Sequence, residues 1–194
     1  MIIKNNQINN AIQTLEEGNI LIYPTDTLYG LGADATNTSA IKKINNLKKR
    51  KSPLSIMIGT LKEINKYAVV DFNTIEELKK IFPGPFTALL ESKKTNLSYL
   101  VNNESKKIGI RIPNNKFCLD LLNRYKKPII TTSVNVHGEK ALNKVQEIEK
   151  KFSEINIYYQ NNHLDSKGST IIDFTEKPPK LIRKGDGNYK YANI

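Results

Sequence analysis

The chain has 194 residues, which is enough for one domain with a hydrophobic core or for two small domains. It carries 30 basic and 19 acidic side chains, and the resulting charge of +11 favours an anionic partner such as a nucleotide, RNA or a membrane surface. The same lysines are also compatible with an ordinary solvated surface. A single cysteine excludes an intrachain disulfide, and no apolar run is long enough to span a membrane, so the expected location is the cytoplasm.

Helical spacing of apolar residues predicts a first helix from Ile8 to Leu15, ending at Gly18. A buried strand at residues 20–23 follows, and the caps at residues 37–39 predict a second helix that ends near Leu47. The later helices are predicted from capping residues and apolar spacing, at residues 73–82, 116–125 and 143–152. The later strands are predicted from short apolar runs, at residues 54–58, 86–90, 108–112, 129–132, 157–159, 169–173 and 180–183.

The order of these elements predicts the fold class. Helices and strands alternate, but several strands follow one another closely near both ends of the chain. This order favours an α/β protein with a mixed sheet over a purely parallel one. We find no internal repeat and no long linker, so we expect one domain over residues 1–187 and a short polar tail over residues 188–194.

A loop rich in threonine, aspartate and glycine follows the first predicted strand, with the sequence YPTDTLYGLG from Tyr23 to Gly32. The end of a buried strand is where α/β proteins usually bind ligands. An ordinary polar turn is the alternative interpretation.

Cations lie at the ends of several predicted elements. Lys48 and Arg50 are two residues apart and would share a side only in an extended segment, which is expected because the helix should end just before them. Arg111 lies among isoleucines in a strand, so it needs an anionic partner, either within the protein or in a ligand. Arg183 ends the last predicted strand.

Hydroxyl and amide side chains also cluster at strand ends: Thr25, Ser133, Asn135, Ser169 and Thr170. Each of them alone is more often a turn residue or a cap. The sequence has no Walker loop, no GxGxxG motif and no histidine at zinc-binding spacing. We therefore expect no zinc site and no Ser-His-Asp nucleophile, and any activity must depend on hydroxyls, amides and cations.

Five segments, in this order, resemble the YrdC/Sua5 family of threonylcarbamoyl-AMP synthases: YPTDTLYGLGADA, LKKRKSPLSIMI, FPGPFTALL, IGIRIP with TTSVNVHG, and STIIDF followed by KLIRKGDG. The resemblance spans about residues 5–187, and the chain is similar to the single-domain form of the family. It implies a twisted α/β sheet that encloses a basic cavity.

The resemblance also implies the activity. Such enzymes combine L-threonine, bicarbonate and ATP with Mg²⁺, release pyrophosphate and form L-threonylcarbamoyl-AMP. A separate transferase then moves the threonylcarbamoyl group to the adenosine next to the anticodon of tRNA. This nucleotidyltransferase reaction requires no protein nucleophile, and we expect no metal ligand from the protein itself.

The site residues implied by the resemblance fall into two sets. The threonine-binding set is Thr25, Met57, Arg111, Ser133 and Ser169. The ATP-binding set is Lys48, Arg50, Ser52, Lys107, Asn135, Asn143 and Arg183, of which Lys48 and Arg50 would position the triphosphate. Met57 departs from the family pattern, because many members have a histidine there, and core packing is its alternative role. Ser52 lies in a segment that is shorter than in longer members.

Two other functions remain open at this point. The basic cavity would bind double-stranded RNA or tRNA without catalysis, in which case affinity would fall steeply with salt. The sequence lacks the aromatic stacking motifs of common RNA-binding modules. A related carbamoyl-adenylate domain occurs in hydrogenase maturation proteins, but those chains are much larger and contain zinc-finger-like cysteines.

Overall fold

A computed structural model of the chain describes residues 1–4, 6–49, 53–160 and 165–189. The strands in this part are β1 (Ile2–Ile3), β2 (Leu21–Tyr23), β3 (Gly30–Gly32), β4 (Ser55–Met57), β5 (Ala68–Val69), β6 (Phe86–Ser92), β7 (Lys107–Arg111), β8 (Ile129–Ser133), β9 (Asn156–Tyr158), β10 (Thr170–Asp173) and β11 (Lys180–Arg183). The helices are α1 (Gln7–Glu16), α2 (Thr38–Lys48), α3 (Ile64–Tyr67), α4 (Phe72–Lys79), α5 (Tyr99–Asn102), α6 (Lys116–Tyr125) and α7 (Val145–Lys151). None of these helices is long and apolar enough to cross a membrane.

The described strands form one mixed sheet in the order β1-β9-β2-β3-β8-β4-β7-β6-β10-β11, and β5 pairs with β6. Parallel pairing joins β9 to β1 and β2, β4 to β7, and β6 to β10. The other pairs are antiparallel. The predicted α/β fold with a twisted mixed sheet and flanking helices is confirmed.

Local capping sets the ends of the helices. The Asn37 side chain accepts a hydrogen bond from the Ala40 backbone N–H at 3.0 Å and so begins α2 as predicted. The expectation that Lys48 follows this helix is wrong, because Lys48 is its last residue and Lys49 is the left-handed cap. Helix α4 begins before the predicted residue 73, because Asp71 is its cap.

The two faces of the sheet have different surroundings, as β7 shows. Ile108 and Ile110 point into the main hydrophobic core, which also contains residues of α2, α4 and α5. Gly109 approaches Ser55 and Thr87 on the opposite face, and Arg111 shares that face by strand alternation. One face of the sheet is therefore a packed core, and the other face carries polar groups.

A second hydrophobic cluster closes one end of the polar face. Met57 is only 1% exposed and packs in this cluster with Phe117, Cys118 and Leu121 of α6. Ser55 precedes Met57 by two residues on the same strand, so the two side chains share a face. Helix α6 covers that face at the Met57 end and leaves it open at the Ser55 end.

The glycines of the YPTDTLYGLG segment allow close packing between β2 and β3. A Cβ atom on Gly30 would lie 2.7 Å from the Tyr23 ring, and one on Gly32 would lie 2.6 Å from it. The Tyr23 hydroxyl donates to the Ile130 carbonyl oxygen at 3.2 Å. The segment is therefore a tight hairpin within the sheet rather than a loose turn.

The end of the described chain packs against the domain. The Tyr189 hydroxyl donates to Glu77 Oε2 at 2.8 Å, and its ring meets Phe174 edge-on. Residues 190–194 of the expected tail lie outside the described residues.

Candidate functional site

A cavity of about 480 Å³ opens on the polar face of the sheet. Its volume is in the range typical of small-molecule sites. The wall is made of residues of β3, β4, β6, β7, β8, β10 and β11 and of the segments that flank them. Five of the residues predicted for the site line it, namely Arg111, Ser133, Asn135, Ser169 and Arg183.

Hydroxyl groups make up much of the cavity floor. Ser55 of β4 is the register partner of Thr131 on β8 and of Gly109 on β7. A Cβ atom on Gly109 would lie 2.3 Å from Ser55 Oγ, so the glycine leaves room for this hydroxyl. Ser55, Thr87 and Thr131 all line the cavity, and the sequence analysis included none of them.

Arg111 forms an ion pair inside the wall of the cavity. Its Nη2 donates to Asp26 Oδ1 at 2.9 Å and to Thr27 Oγ1 at 3.1 Å, and the Arg111 and Asp26 side chains are 10% and 8% exposed. Arg111 Nε is buried without a hydrogen-bond partner among the described residues. Arg111 therefore has a protein partner, and one of its buried donors is not used by the described residues. Asp26 was missed, although it was the one carboxylate in the YPTDTLYGLG segment.

Thr25 and Thr27 have different roles in this segment. Thr25 Oγ1 donates to the Leu28 carbonyl oxygen at 2.7 Å and accepts from the Thr27 backbone N–H at 3.0 Å. Thr27 lines the cavity, and Thr25 is not among the described residues that line it. Thr25 was predicted to bind threonine, but its hydroxyl shapes the turn that presents Thr27.

Arg183 and Ser169 form a second polar group in the wall. Arg183 donates through Nε and Nη2 to the Ser169 carbonyl oxygen, at 3.2 and 2.8 Å, and through Nη2 to Ser169 Oγ at 3.1 Å. Burial lowers the pKa of Arg183, and repulsion from Arg111 lowers it further. Two guanidinium groups that repel each other across a cavity favour binding of an anion between them.

Lys48 holds the segment that carries Ser133 and Asn135. Its Nζ donates to the Ser133 carbonyl oxygen at 2.6 Å, to the Asn135 carbonyl oxygen at 3.1 Å and to Asn135 Oδ1 at 2.8 Å. Ser133 Oγ also donates to Asn135 Oδ1, at 2.7 Å. Lys48 is 1% exposed and lies behind the wall, so its observed contacts position Ser133 and Asn135.

Three further predicted residues are absent from the described lining of the cavity, namely Met57, Lys107 and Asn143. Met57 is in the second hydrophobic cluster. Lys107 lies at the other end of β7 from Arg111, where Asp173 Oδ2 accepts a bond from its Nζ at 2.7 Å. Asn143 Oδ1 accepts from the Tyr29 backbone N–H at 3.1 Å and so supports the wall from behind. Arg50 and Ser52 lie outside the described residues.

Other reactive groups were sought in the same part of the chain. Cys118 is fully buried, and burial raises the pKa of its thiol, so it is held in the protonated, unreactive form. Within the described residues, no three histidine, cysteine, aspartate or glutamate side chains are grouped to hold a metal ion. The chemistry offered by the described cavity is that of cations, hydroxyls and amides.

Comparison with known proteins identifies the family. The family model described as "Telomere recombination", which represents the Sua5, YciO and YrdC proteins, matches residues 13–185. The chain belongs to this family. The threonylcarbamoyl-AMP synthase of Psychromonas ingrahamii is 31% identical over 157 residues, which cover 78% of this chain and 82% of that protein.

Two solved structures share the fold of this family member. Sua5 of P. abyssi in complex with L-threonine superimposes with a TM-score of 0.86 at 27% identity, covering 95% of this chain and 57% of that one. This chain therefore spans less than two thirds of the Sua5 chain. YciO of Escherichia coli superimposes with a TM-score of 0.87 at 26% identity, covering 97% of this chain and 96% of that one.

Proposed function

We propose that the protein is an L-threonylcarbamoyladenylate synthase, a nucleotidyltransferase that makes L-threonylcarbamoyl-AMP and pyrophosphate from L-threonine, bicarbonate and ATP. The observation that carries the proposal is the convergence of Arg111, Ser133, Asn135, Ser169 and Arg183 on one cavity. A relative named threonylcarbamoyl-AMP synthase and a Sua5 structure that contains L-threonine support it. The TM-scores to Sua5 and YciO are nearly equal, so the cavity is the stronger argument.

The cavity suits the chemistry of this reaction. The amine of threonine and bicarbonate form a carbamate with loss of water, and a carbamate oxygen then attacks the α-phosphate as pyrophosphate leaves. Both reactants are anions, so cations such as Arg111 and Arg183 would offset their repulsion. A carbamate decomposes readily in water, and a cavity that holds it next to ATP favours its capture. No protein nucleophile takes part.

We assign the amino acid to the end of the cavity with Arg111 and Ser169, where the Arg111 guanidinium would attract its carboxylate. Ser133 would also face the amino acid, the nucleotide would contact Asn135 and Arg183, and Lys48 would hold Ser133 and Asn135 in place. Arg50 and Ser52 remain proposed nucleotide ligands. We replace Thr25 by Thr27 in the proposed site, and we no longer assign Met57 or Lys107 to it.

Mg²⁺ would enter bound to ATP and neutralise phosphate charge. Among the described residues that line the cavity, Glu139 is the one acidic side chain, and it forms a salt bridge with Lys151. A single carboxylate fits an ion held mainly by phosphate oxygens and water.

We also propose the setting of the reaction. The single cysteine supports a cytoplasmic location, and residues 1–187 would act as one catalytic domain. The product would pass to a tRNA threonylcarbamoyl transferase. Binding of tRNA or double-stranded RNA by this protein is the alternative function, but a cavity of about 480 Å³ suits a small molecule better than a duplex.

The proposal is tested by pyrophosphate release from ATP with purified protein. Release should require L-threonine, bicarbonate and Mg²⁺ together, and it should stop when any one of them is left out. Equal release without threonine would overturn the proposal. Salt-sensitive RNA binding without any release would favour the alternative.

A further inference from the structure

Thr87 is a cavity residue with one distinctive contact. It lies in β6, is 3% exposed and lines the cavity. Its Oγ1 lies 2.8 Å from Ser169 Oγ, and either hydroxyl can be the donor. Among the described residues this is the only side-chain hydrogen bond of Thr87, so its polarity is directed at Ser169 and the cavity.

The number of hydrogens in this pair limits what it can do. A hydroxyl has one hydrogen to donate and two lone pairs that accept. Arg183 Nη2 donates to Ser169 Oγ at 3.1 Å, so the hydrogen between the two hydroxyls must come from Thr87 or from Ser169. The other hydroxyl hydrogen remains. Since both side chains line the cavity, that hydrogen is available to a bound ligand in either arrangement.

The surrounding charges favour an anionic acceptor for this hydrogen. Arg183 donates a hydrogen bond to Ser169 of the pair. The pKa of Arg183 is lowered mainly by burial and also by the charge of Arg111, so the two guanidinium groups lie near each other. Hydrogen bonds to a charged acceptor are shorter and stronger than those between neutral groups. A carboxylate at this place would receive the hydroxyl hydrogen and lie close to two guanidinium groups.

We propose that Thr87 and Ser169 act as one hydroxyl pair that donates a single hydrogen bond to the carboxylate of the bound amino acid. Thr87 is thus a further residue of the amino-acid subsite, acting with Ser169. This inference rests on the proposed function, because it takes an amino acid as the ligand. In this proposal, the hydroxyl pair recognises the carboxylate of the amino acid and not its side chain or its amine.

Calorimetric titration tests the pair with the intact protein and L-threonine or ATP as the probe. Thr87→Val keeps the side-chain shape and removes the hydroxyl, and it should weaken L-threonine binding about tenfold. Thr87→Ser should bind like the wild type, and ATP binding should stay within about twofold in both variants. Adding Thr87→Val to Ser169→Ala should cause little further loss, because one hydrogen bond cannot be lost twice.

L-threoninol, which has no carboxylate, gives the decisive comparison. Thr87→Val should lower the affinity for L-threoninol much less than the affinity for L-threonine, since a neutral hydroxymethyl oxygen is a weaker acceptor than a carboxylate. Thr14→Val is the matched control, because Thr14 Oγ1 is bonded to the Tyr158 hydroxyl at 2.9 Å outside the cavity. This control should leave binding of both L-threonine and ATP unchanged.

Several results would overturn the inference. An unchanged L-threonine affinity in Thr87→Val, or an equal loss for L-threonine, L-threoninol and ATP, would show that Thr87 is structural. If Thr87→Val does not fold, Thr87→Ala provides the same comparison. If the wild type does not bind L-threonine, the proposed function itself is contradicted. The titration of the wild type shows this before any variant is made, so the two failures are distinguishable.

Discussion

Arg111 shows that one side chain can serve the fold and the site together. The position of Arg111 among isoleucines in a strand indicated that this arginine needs an anionic partner. The sequence left open whether that anion belongs to the protein or to a ligand. Asp26 occupies one side of the guanidinium, while the buried Nε has no hydrogen-bond partner among the described residues. The observed partner lies within the protein, and the carboxylate of the amino acid is proposed as a second one.

Arg111→Lys should lower kcat/KM for L-threonine by about 10- to 100-fold, because lysine keeps the charge but lacks the planar fork of donors. Steady-state kinetics with circular dichroism to monitor folding would measure this. Arg124→Lys is the control, since Arg124 is exposed and bonds only the Asn9 side chain among the described residues. If Arg111→Lys instead lowers the folded fraction, and the molecules that do fold keep normal activity, Arg111 has a purely structural role.

Met57→Ala should destabilise the protein by about 2–5 kcal/mol, because it opens a cavity in a packed cluster. The preference for threonine over serine should not change, because the described lining of the cavity does not include Met57. Denaturant unfolding and competition between the two amino acids would test both statements. If Met57→Ala shows a smaller preference for threonine over serine and normal stability, Met57 contacts the substrate.

Residue roles were predictable where the signal was local, and they were missed where packing decided. The two-residue period of a strand puts Ser55 and Met57 on one face of β4, but the sequence could not tell that α6 covers that face at Met57. Thr25 and Thr27 are equivalent in a sequence pattern. Only the turn geometry makes one of them a support and the other a wall residue.

Elements with strong periodicity, clear caps or a short apolar run were well predicted, and short elements without such a signal were missed. Helix α6 spans residues 116–125 as expected, because Asn115 caps it and its apolar spacing is regular. Strand β3 was missed because glycine-rich Gly30–Gly32 has weak strand propensity and depends on pairing with β2 and β8. Tertiary partners, rather than local sequence, create such elements.

Helix α2 acts on the site through its last residue. Lys48→Met should weaken ATP binding and lower Tm by about 2–10 °C, because buried oxygens of Ser133 and Asn135 lose a charged donor. Lys42→Met is the control on the exposed side of the same helix and should change neither. Calorimetric ATP titration and thermal unfolding would measure the effects. Equal losses in both variants would indicate a diffuse basic surface.

Asp34 links the segment after β3 to the end of α6. Burial by itself would raise the pKa of Asp34, but hydrogen bonds from Thr36, Tyr125 and Lys127 lower it below the usual aspartate value. A lowered pKa in the folded state means that the carboxylate stabilises the fold above the unfolded pKa of about 3.9. This stabilisation is lost as pH falls through the folded pKa.

The stability difference between wild type and Asp34→Asn should therefore be constant near pH 7 and shrink below about pH 5. Denaturant unfolding at a series of pH values would measure it. Asp120→Asn is the control for the loss of a carboxylate, since Asp120 forms a largely exposed pair with Lys116 and should contribute little to stability. A difference for Asp34→Asn that grows as pH falls would contradict the account.

At the scale of the whole molecule, one sheet separates a hydrophobic core from a polar cavity. The family segments lie far apart in sequence, and pairing among β4, β6, β7, β8, β10 and β11 brings their ends together. The net charge of +11 did not reveal this arrangement, because surface lysines dominate it. The fold and five lining residues followed from the sequence, while the hydroxyl floor and the Asp26 ion pair required the structure.

The central claim is that this cavity joins an amino acid, bicarbonate and ATP. The most direct measurement is mass spectrometry of the adenylate product after incubation with L-threonine, Mg²⁺, ATP and carbon-13 bicarbonate. The account predicts threonylcarbamoyl-AMP that carries the heavy carbon, and its yield should fall sharply in Arg111→Lys but not in Arg124→Lys. Pyrophosphate release without a labelled adenylate, or no adenylate at all from folded protein that binds both substrates, would contradict it.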